Sequence, residues 1–171
     1  MKKIFFFVFF FINVIISTNV KAKIAYIDIN YILKTSEVGK FLNAHIEKKK
    51  NKYTEKYKEI EKDLVEKEKT LIAQQNILNK EEFENKVQIL TNEVQIYRED
   101  KKSNLDNLNK FKVENTKKIL KVLNPIITNF VNENSISIVI PKKNIIVGKK
   151  NLDITNQILN LLNKKITKLN F

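Results

Sequence analysis

The fold is decided by residues 46–78, which read IEKKKNKYTEKYKEIEKDLVEKEKTLIAQQNIL. Positions 46, 50, 53, 57, 60, 64, 67, 71, 74 and 78 alternate spacings of four and three, and seven of these ten residues are apolar. That alternation is the heptad seam of a helix that packs against another helix. Lys and Glu fill most other positions, as on a solvated helix face. Ser36 is a suitable N-cap, so a first helix is predicted over about 37–76.

The same rhythm resumes after a break. Asn79, followed three residues later by Glu82, is a variant of the capping box and predicts a second helix from Lys80. Its seam passes through positions 83, 87, 90, 94, 97, 101, 104, 108 and 111, where seven of nine residues are apolar. The two helices are therefore predicted to form a long antiparallel hairpin, here called the arm, over residues 37–133 with its tip near 76–80. Pro125 is expected to bend the second helix near its end.

Short segments rich in β-branched residues flank the arm. Residues 24–29 are predicted to form a strand, and residues 30–35 connect it to the arm. Residues 135–140 alternate Ser and Ile, and residues 145–147 follow a turn of Pro, Lys, Lys and Asn, so these two segments are predicted to pair as a hairpin. Asp153 is predicted to cap a final amphipathic helix.

The predicted fold class is therefore α+β, mostly α. The arm projects from a small three-strand body with a C-terminal helix, and the body is formed by residues 23–36 and 134–171. A body of this size is marginally stable alone and exposes sheet edges. We therefore expect several copies to associate through those edges, which would cover them and stabilise the body.

The N-terminal residues predict export. Met1, Lys2 and Lys3 precede an apolar run over 4–16 that only Asn13 interrupts, and Val20-Lys21-Ala22 places small residues at the −3 and −1 positions. This pattern is typical of a cleaved secretory signal peptide over residues 1–22, with cleavage after Ala22. The apolar run is shorter than the roughly 20 residues that a membrane-spanning helix needs.

The composition argues against most enzymes. The sequence has two Gly, far apart at Gly39 and Gly148, one His, at His45, and no Cys. Phosphate-binding loops need clustered glycines, and zinc sites and thiol nucleophiles need Cys or several His. We therefore predict no catalytic, cofactor-binding or metal-binding residue and no cofactor.

The net charge of +13 is a property of the lysines, since Arg98 is the single arginine. Lys, Ile and Asn together make up 79 of 171 residues, a bias that an AT-rich genome produces without selection for basicity. Nucleic-acid recognition favours Arg, so no nucleic-acid partner is predicted. Within residues 62–102 there are 8 basic and 9 acidic residues, whereas the body has 9 basic and 2 acidic residues. Weak contact with an anionic membrane surface is thus predicted for the body, where Lys142, Lys143, Lys149 and Lys150 cluster.

Three blocks of sequence give a family resemblance. KIAYIDINYIL follows the predicted cleavage site, LNPIITNFVNENSISIVI ends the arm, and LDITNQILNLLNK lies in the final helix. With the Lys/Glu-rich hairpin between them, they resemble the Skp/OmpH family of periplasmic chaperones. The resemblance implies a homotrimer whose three arms enclose a cavity for unfolded outer-membrane proteins. It also implies that these clients are protected from aggregation and delivered for outer-membrane assembly without ATP.

The resemblance also suggests two groups of site residues. Residues expected in the oligomerisation body are Ile24, Tyr26, Ile27, Ile136, Ile138, Ile140, Ile145 and Val147. Residues expected to face a client are Tyr53, Tyr57, Leu71, Val94 and Tyr97. For the second group, ordinary packing between the two helices is the alternative. The alternative function is a secreted structural or adaptor coiled coil that binds a folded partner along the arm.

Overall fold

The computed structural model describes residues 22–171, so the predicted signal peptide lies outside the described residues except for Ala22. The elements, in chain order, are β1 (Ile24–Ile27), α1 (Ile29–Thr35), α2 (Glu37–Ala73), α3 (Lys80–Glu133), β2 (Ile138–Pro141) and α4 (Thr155–Lys165). The predicted α+β, mostly helical fold with long helices, a small strand body and a C-terminal helix is confirmed.

Both predicted caps of the long helices are present. The Ser36 hydroxyl accepts a hydrogen bond from the Gly39 N–H at 3.1 Å, and the Asn79 side chain accepts one from the Glu82 N–H at 2.9 Å. These bonds satisfy backbone donors that have no partner within the helix. α2 ends at Ala73, three residues before the predicted end, while α3 continues for 54 residues and includes Pro125.

The first strand is shorter than predicted, and the segment predicted as a connection is helical. β1 ends at Ile27 because the Asp28 side chain accepts a hydrogen bond from the Tyr31 N–H at 2.9 Å and starts α1. Ser36 has extended backbone angles between α1 and α2, so the chain changes direction there. An Asp that followed a strand was thus a helix N-cap, which the prediction missed.

The sheet differs from the predicted one in pairing. β1 and β2 are parallel, with Ile24 opposite Ile138 and Ile27 opposite Pro141. The arm is the crossover between them, and a crossover of this length permits parallel pairing. The other edge of β1 carries a bridge between Tyr26 and Asp153.

The predicted hairpin of residues 135–140 with 145–147 is wrong, and the described residues contain no third strand. Pro141 ends β2, and residues Lys142–Asn144 form a 3-10 turn after it. The chain then folds back on itself, since Gly148 lies against the side chains of Tyr26 and Ile145. β-branched composition alone therefore did not make residues 145–147 a strand, because strand preference depends on packing context.

Residues 135–137 also precede the strand instead of belonging to it. Ser135 has a φ of 52° and follows the C-cap of α3. The Ile136 N–H donates to the Val131 carbonyl at 3.0 Å, and the Ser135 N–H donates to the Asn132 carbonyl at 3.2 Å. These two bonds form a Schellman motif that ends the helix.

One core joins the body to the base of the arm. It contains buried apolar side chains from β1, from the ends of the long helices and from α4; the largest fully buried ones are Ile32, Val38, Ile119, Leu123, Ile158 and Leu162. α4 starts at Thr155 with Ile154 as its N-cap, so Asp153, the predicted N-cap, lies one residue before the observed one. The Asp153 side chain still accepts a hydrogen bond from the Thr155 N–H at 2.9 Å. The Asn163 side chain accepts a hydrogen bond from the Glu37 N–H at 2.9 Å and so links α4 to the start of α2.

Candidate functional site

The predicted client-facing aromatic residues of the arm lie between its two helices. Tyr57 is buried, whereas Tyr53 and Tyr97 are half-buried. The rings of Tyr57 and Tyr97 meet edge to face with centroids 5.8 Å apart, and Tyr53 lies 6.4 Å from Tyr57. Aromatic pairs of this geometry hold helices together. A contact with a client stays a prediction for these residues, and likewise for the half-buried Leu71 and Val94.

The Tyr57 hydroxyl is part of a polar network across the arm. It donates to the Asp100 carboxylate at 2.9 Å and accepts from the Asn104 amide at 2.7 Å. Lys56 binds the same carboxylate oxygen at 2.5 Å. The hydrogen bond from Lys56, followed by the one from Tyr57, lowers the pKa of Asp100, while burial raises the pKa of Tyr57.

A second polar group lies one to two turns nearer the tip. Glu61 accepts hydrogen bonds from Lys101, at 2.7 Å, and from the Tyr97 hydroxyl. The bond from Lys101 is the main cause of the lowered pKa of Glu61, and the same pair raises the pKa of Lys101. Nearer still to the tip, Lys67 pairs with Glu93 at 2.8 Å. These bonds fix the register of the two helices.

Exposed aliphatic side chains flank the seam and were missed by the sequence prediction. Val65 and Ile72 are exposed on α2, and Ile89 and Ile96 are exposed on α3. Val65 lines one groove of the arm, together with Leu64 and Val94, and Ile89 lines another, together with Leu71 and Leu90. Val65 and Ile72 are seven residues apart, as are Ile89 and Ile96, and each lies next to a seam position. This second heptad row is the sequence pattern from which the exposed aliphatic side chains could have been predicted.

The predicted oligomerisation residues divide into three groups by exposure. Tyr26, Ile27 and Ile136 are buried within the single chain and belong to its own packing. Ile24 and Ile138 are opposite each other in the parallel sheet and are 44% and 52% exposed, and Val147 is 89% exposed. Ile140 and Ile145 are half-buried. The exposed members leave apolar surface uncovered in the single chain.

The basic cluster of the body surrounds the most exposed apolar residue. Lys143, Lys149 and Lys150 are exposed, and Ile146 between them is fully exposed. Lys142 instead binds Asp153 at 3.1 Å, which raises the pKa of Lys142. This segment therefore combines positive charge with an apolar tip.

Two further features of residues 22–171 bear on function. In this part of the chain, no group of three or more metal-ligating side chains comes together. No helix among these residues carries an apolar stretch of the length that a bilayer crossing requires.

His45 lies in α2 among aromatic rings, and the centroid of its ring is 5.4 Å from that of Phe111.

Comparisons with known proteins agree with this architecture. Residues 23–162 match the family described as outer membrane protein (OmpH-like). The chain belongs to the OmpH-like family. A crystal structure of an OmpH-like outer membrane chaperone from Caulobacter crescentus CB15 has the same fold, with a TM-score of 0.76 and 14% sequence identity over 88% of this chain and 89% of that one. No protein with a curated description matches the sequence significantly.

Proposed function

We propose that this OmpH-like protein is a periplasmic holdase chaperone, exported by a cleaved signal peptide over residues 1–22. It binds unfolded outer-membrane proteins in a cavity between the arms of a homotrimer, prevents their aggregation and delivers them for outer-membrane assembly without ATP. The family match and the OmpH-like structural relative support a chaperone role. The observation that carries the holdase mechanism is the exposed aliphatic surface on an arm whose seam is already packed.

The proposed binding mode follows from the chemistry of the client. An unfolded barrel strand exposes alternating apolar side chains and unpaired backbone groups, which makes it prone to aggregate. Val65, Ile72, Ile89 and Ile96 offer separate apolar contacts along the arm, and the charged residues around them keep it soluble. Many weak contacts of this kind hold a chain without selecting one sequence, and folding of the client releases them.

The proposed trimer uses the surface that one chain leaves uncovered. Ile24, Ile138 and Val147 are exposed, and β2 has an unpaired edge in the single chain. Addition of a strand from a neighbouring copy at that edge would satisfy backbone donors and cover these side chains. The body, residues 23–36 and 134–171, is then the oligomerisation unit, and residues 37–133 form the client-binding arm.

Weak contact with an anionic membrane surface is proposed for the segment around Ile146. Lys143, Lys149 and Lys150 supply positive charge beside that exposed apolar side chain. Each lysine near such a surface contributes about 1 kcal/mol, an attraction that salt weakens.

The deciding experiment is the light-scattering mass of residues 23–171 after a urea-denatured outer-membrane barrel is diluted into the protein. Three copies with one soluble client are expected. The matched variant is Ile72→Ser with Ile96→Ser, which is expected to remain trimeric but to protect less barrel from aggregation. A monomer or dimer that elutes alone while the barrel precipitates would instead favour an adaptor coiled coil with a folded partner.

A further inference from the structure

Four aromatic rings meet at the base of the arm. Phe41 and His45 lie one turn apart on α2, and Phe111 of α3 stacks on His45. Phe171 completes the group from the segment that follows α4. Its ring lies parallel to that of Phe41, with centroids 5.4 Å apart and 6° between the planes, and it is 4.4 Å from His45 and 5.1 Å from Phe111.

Phe171 is the least integrated member of this group. Its side chain is 50% exposed, whereas Leu169, two residues earlier, is 9% exposed and belongs to the core. The segment after α4 is thus anchored at Leu169. The ring of Phe171 can leave the other three rings without disturbing the core, because the anchoring contacts lie before it.

The three remaining rings form a surface that suits an aromatic ligand. Two phenyl rings and an imidazole from two helices present both ring faces and ring edges, and aromatic pairs prefer these stacked or edge-to-face arrangements. The Lys49 ammonium lies 4.3 Å from the centroid of Phe111 and covers it by a cation–π contact. An aliphatic side chain would fill the volume but would lack the ring contacts.

This arrangement is separate from the tyrosines further along the arm. The Tyr57 ring is buried between the helices and its hydroxyl is engaged with Asp100 and Asn104. The family match ends at residue 162, so Phe171 lies beyond the matched residues. Phe171 is therefore not one of the residues on which the family match rests.

We propose that Phe41, His45 and Phe111 form a binding site for an aromatic side chain of an unfolded client, and that Phe171 occupies this aromatic site in its absence. The inference rests on the proposed chaperone function, which supplies the client. A client aromatic residue must displace Phe171, so the apparent affinity equals the intrinsic affinity multiplied by the fraction of sites that are open. Phe171 thereby restricts the site to chains that offer an aromatic ring.

The test uses the NMR signals of the His45 imidazole, which are unambiguous because the sequence has one histidine. The probe is a short disordered peptide of Gly, Ser and Asn with one Phe, and its control is the same peptide with Leu. Wild type, Phe171→Ala and Phe171→Leu are compared as residues 23–171 at one pH. Phe171→Ala is expected to move the His45 signals, because a neighbouring ring current is lost.

The Phe peptide is then expected to shift the His45 signals saturably and to bind Phe171→Ala about threefold or more tightly than wild type, as relief of intramolecular competition requires. Phe171→Leu keeps an apolar side chain at this position and should give an intermediate affinity. It is the control for a loss of folding in the Ala variant. Equal responses to the Phe and Leu peptides, or no gain over wild type, would overturn the proposal.

The barrel-protection experiment above separates this site from the chaperone function. If the barrel aggregates while the His45 signals still respond selectively to the Phe peptide, the chaperone function fails and the aromatic site stands without its client. If the barrel is protected while the Phe and Leu peptides give equal responses, the aromatic site fails and the chaperone function stands.

Discussion

At the scale of single residues, Ser135 has a backbone conformation that suits glycine better. Its φ of 52° is in the left-handed region, where a β-carbon is strained. We expect Ser135→Gly to raise the free energy of unfolding by about 0.5–1 kcal/mol, because the strain relieved exceeds the added entropy of the unfolded chain. Urea denaturation followed by circular dichroism measures the change. Ser137→Gly, two residues on and outside the left-handed region, is the control and should not stabilise.

Gly39 is required by a close approach between helices. A β-carbon there would lie 2.0 Å from the Leu33 carbonyl oxygen at the end of α1. Backbone cannot yield as a flexible side chain does, so Gly39→Ala is expected to destabilise the protein by about 1–3 kcal/mol despite the better helix propensity of Ala. Asn43→Ala, at an exposed position one turn further along α2, is the matched control. Equal unfolding midpoints for the two variants would contradict the close approach.

At the scale of elements, the two arm helices are held by an acid-sensitive polar network. Asp100 has a pKa lowered from 3.8 by its hydrogen bonds with Lys56 and Tyr57, and the pKa of Glu61 is lowered from 4.5 by Lys101 and Tyr97. A lowered pKa in the folded state means that the carboxylate stabilises the fold above the unfolded pKa. That contribution is lost as pH falls through the folded value.

We therefore expect Asp100→Asn to lower the urea midpoint most above about pH 5, where the wild-type carboxylate is ionised in both states. The difference from wild type should shrink as the pH falls below 3.8, the usual value for the carboxyl group. The measurement is a series of urea denaturations from pH 6 to pH 2. Asp106→Asn removes an exposed carboxylate from the same helix and should leave the midpoint nearly unchanged at every pH. A pH-independent effect of Asp100→Asn would show that the network stabilises by packing instead of charge.

At the scale of the whole molecule, the exposed apolar residues of β2 and those of the arm have different proposed roles. Ile138 lies in β2 of the body, and Ile96 lies on the arm; they are 52% and 58% exposed. We expect Ile138→Asp to dissociate the proposed trimer, because it places a charge in the proposed interface. Ile96→Asp should leave the trimer intact and reduce protection of an unfolded barrel. Light scattering and an aggregation assay on both variants measure the two effects, and dissociation by Ile96→Asp would contradict the division of roles.

The helical part of the fold could be predicted because its determinants are close together in sequence. A heptad seam is a repeat over adjacent turns, and the caps Ser36 and Asn79 bind donors three residues away. Local hydrogen bonds and periodic burial therefore determine the arm, and the order of elements around it made the family recognisable.

Contacts between residues that are far apart in sequence could be seen only in the folded chain. Tyr57 reaches Asp100 across the arm, β1 pairs in parallel with β2, and Phe171 reaches Phe41. The same β-branched residues fit a hairpin or a parallel pair equally well. Strand propensity reflects how well a side chain fits a half-buried pleated surface, and it does not specify which strand is the partner. The long helices, their caps and the family therefore followed from local sequence patterns. The strand pairing and the exposure of individual side chains required the folded chain, because both depend on contacts between distant segments.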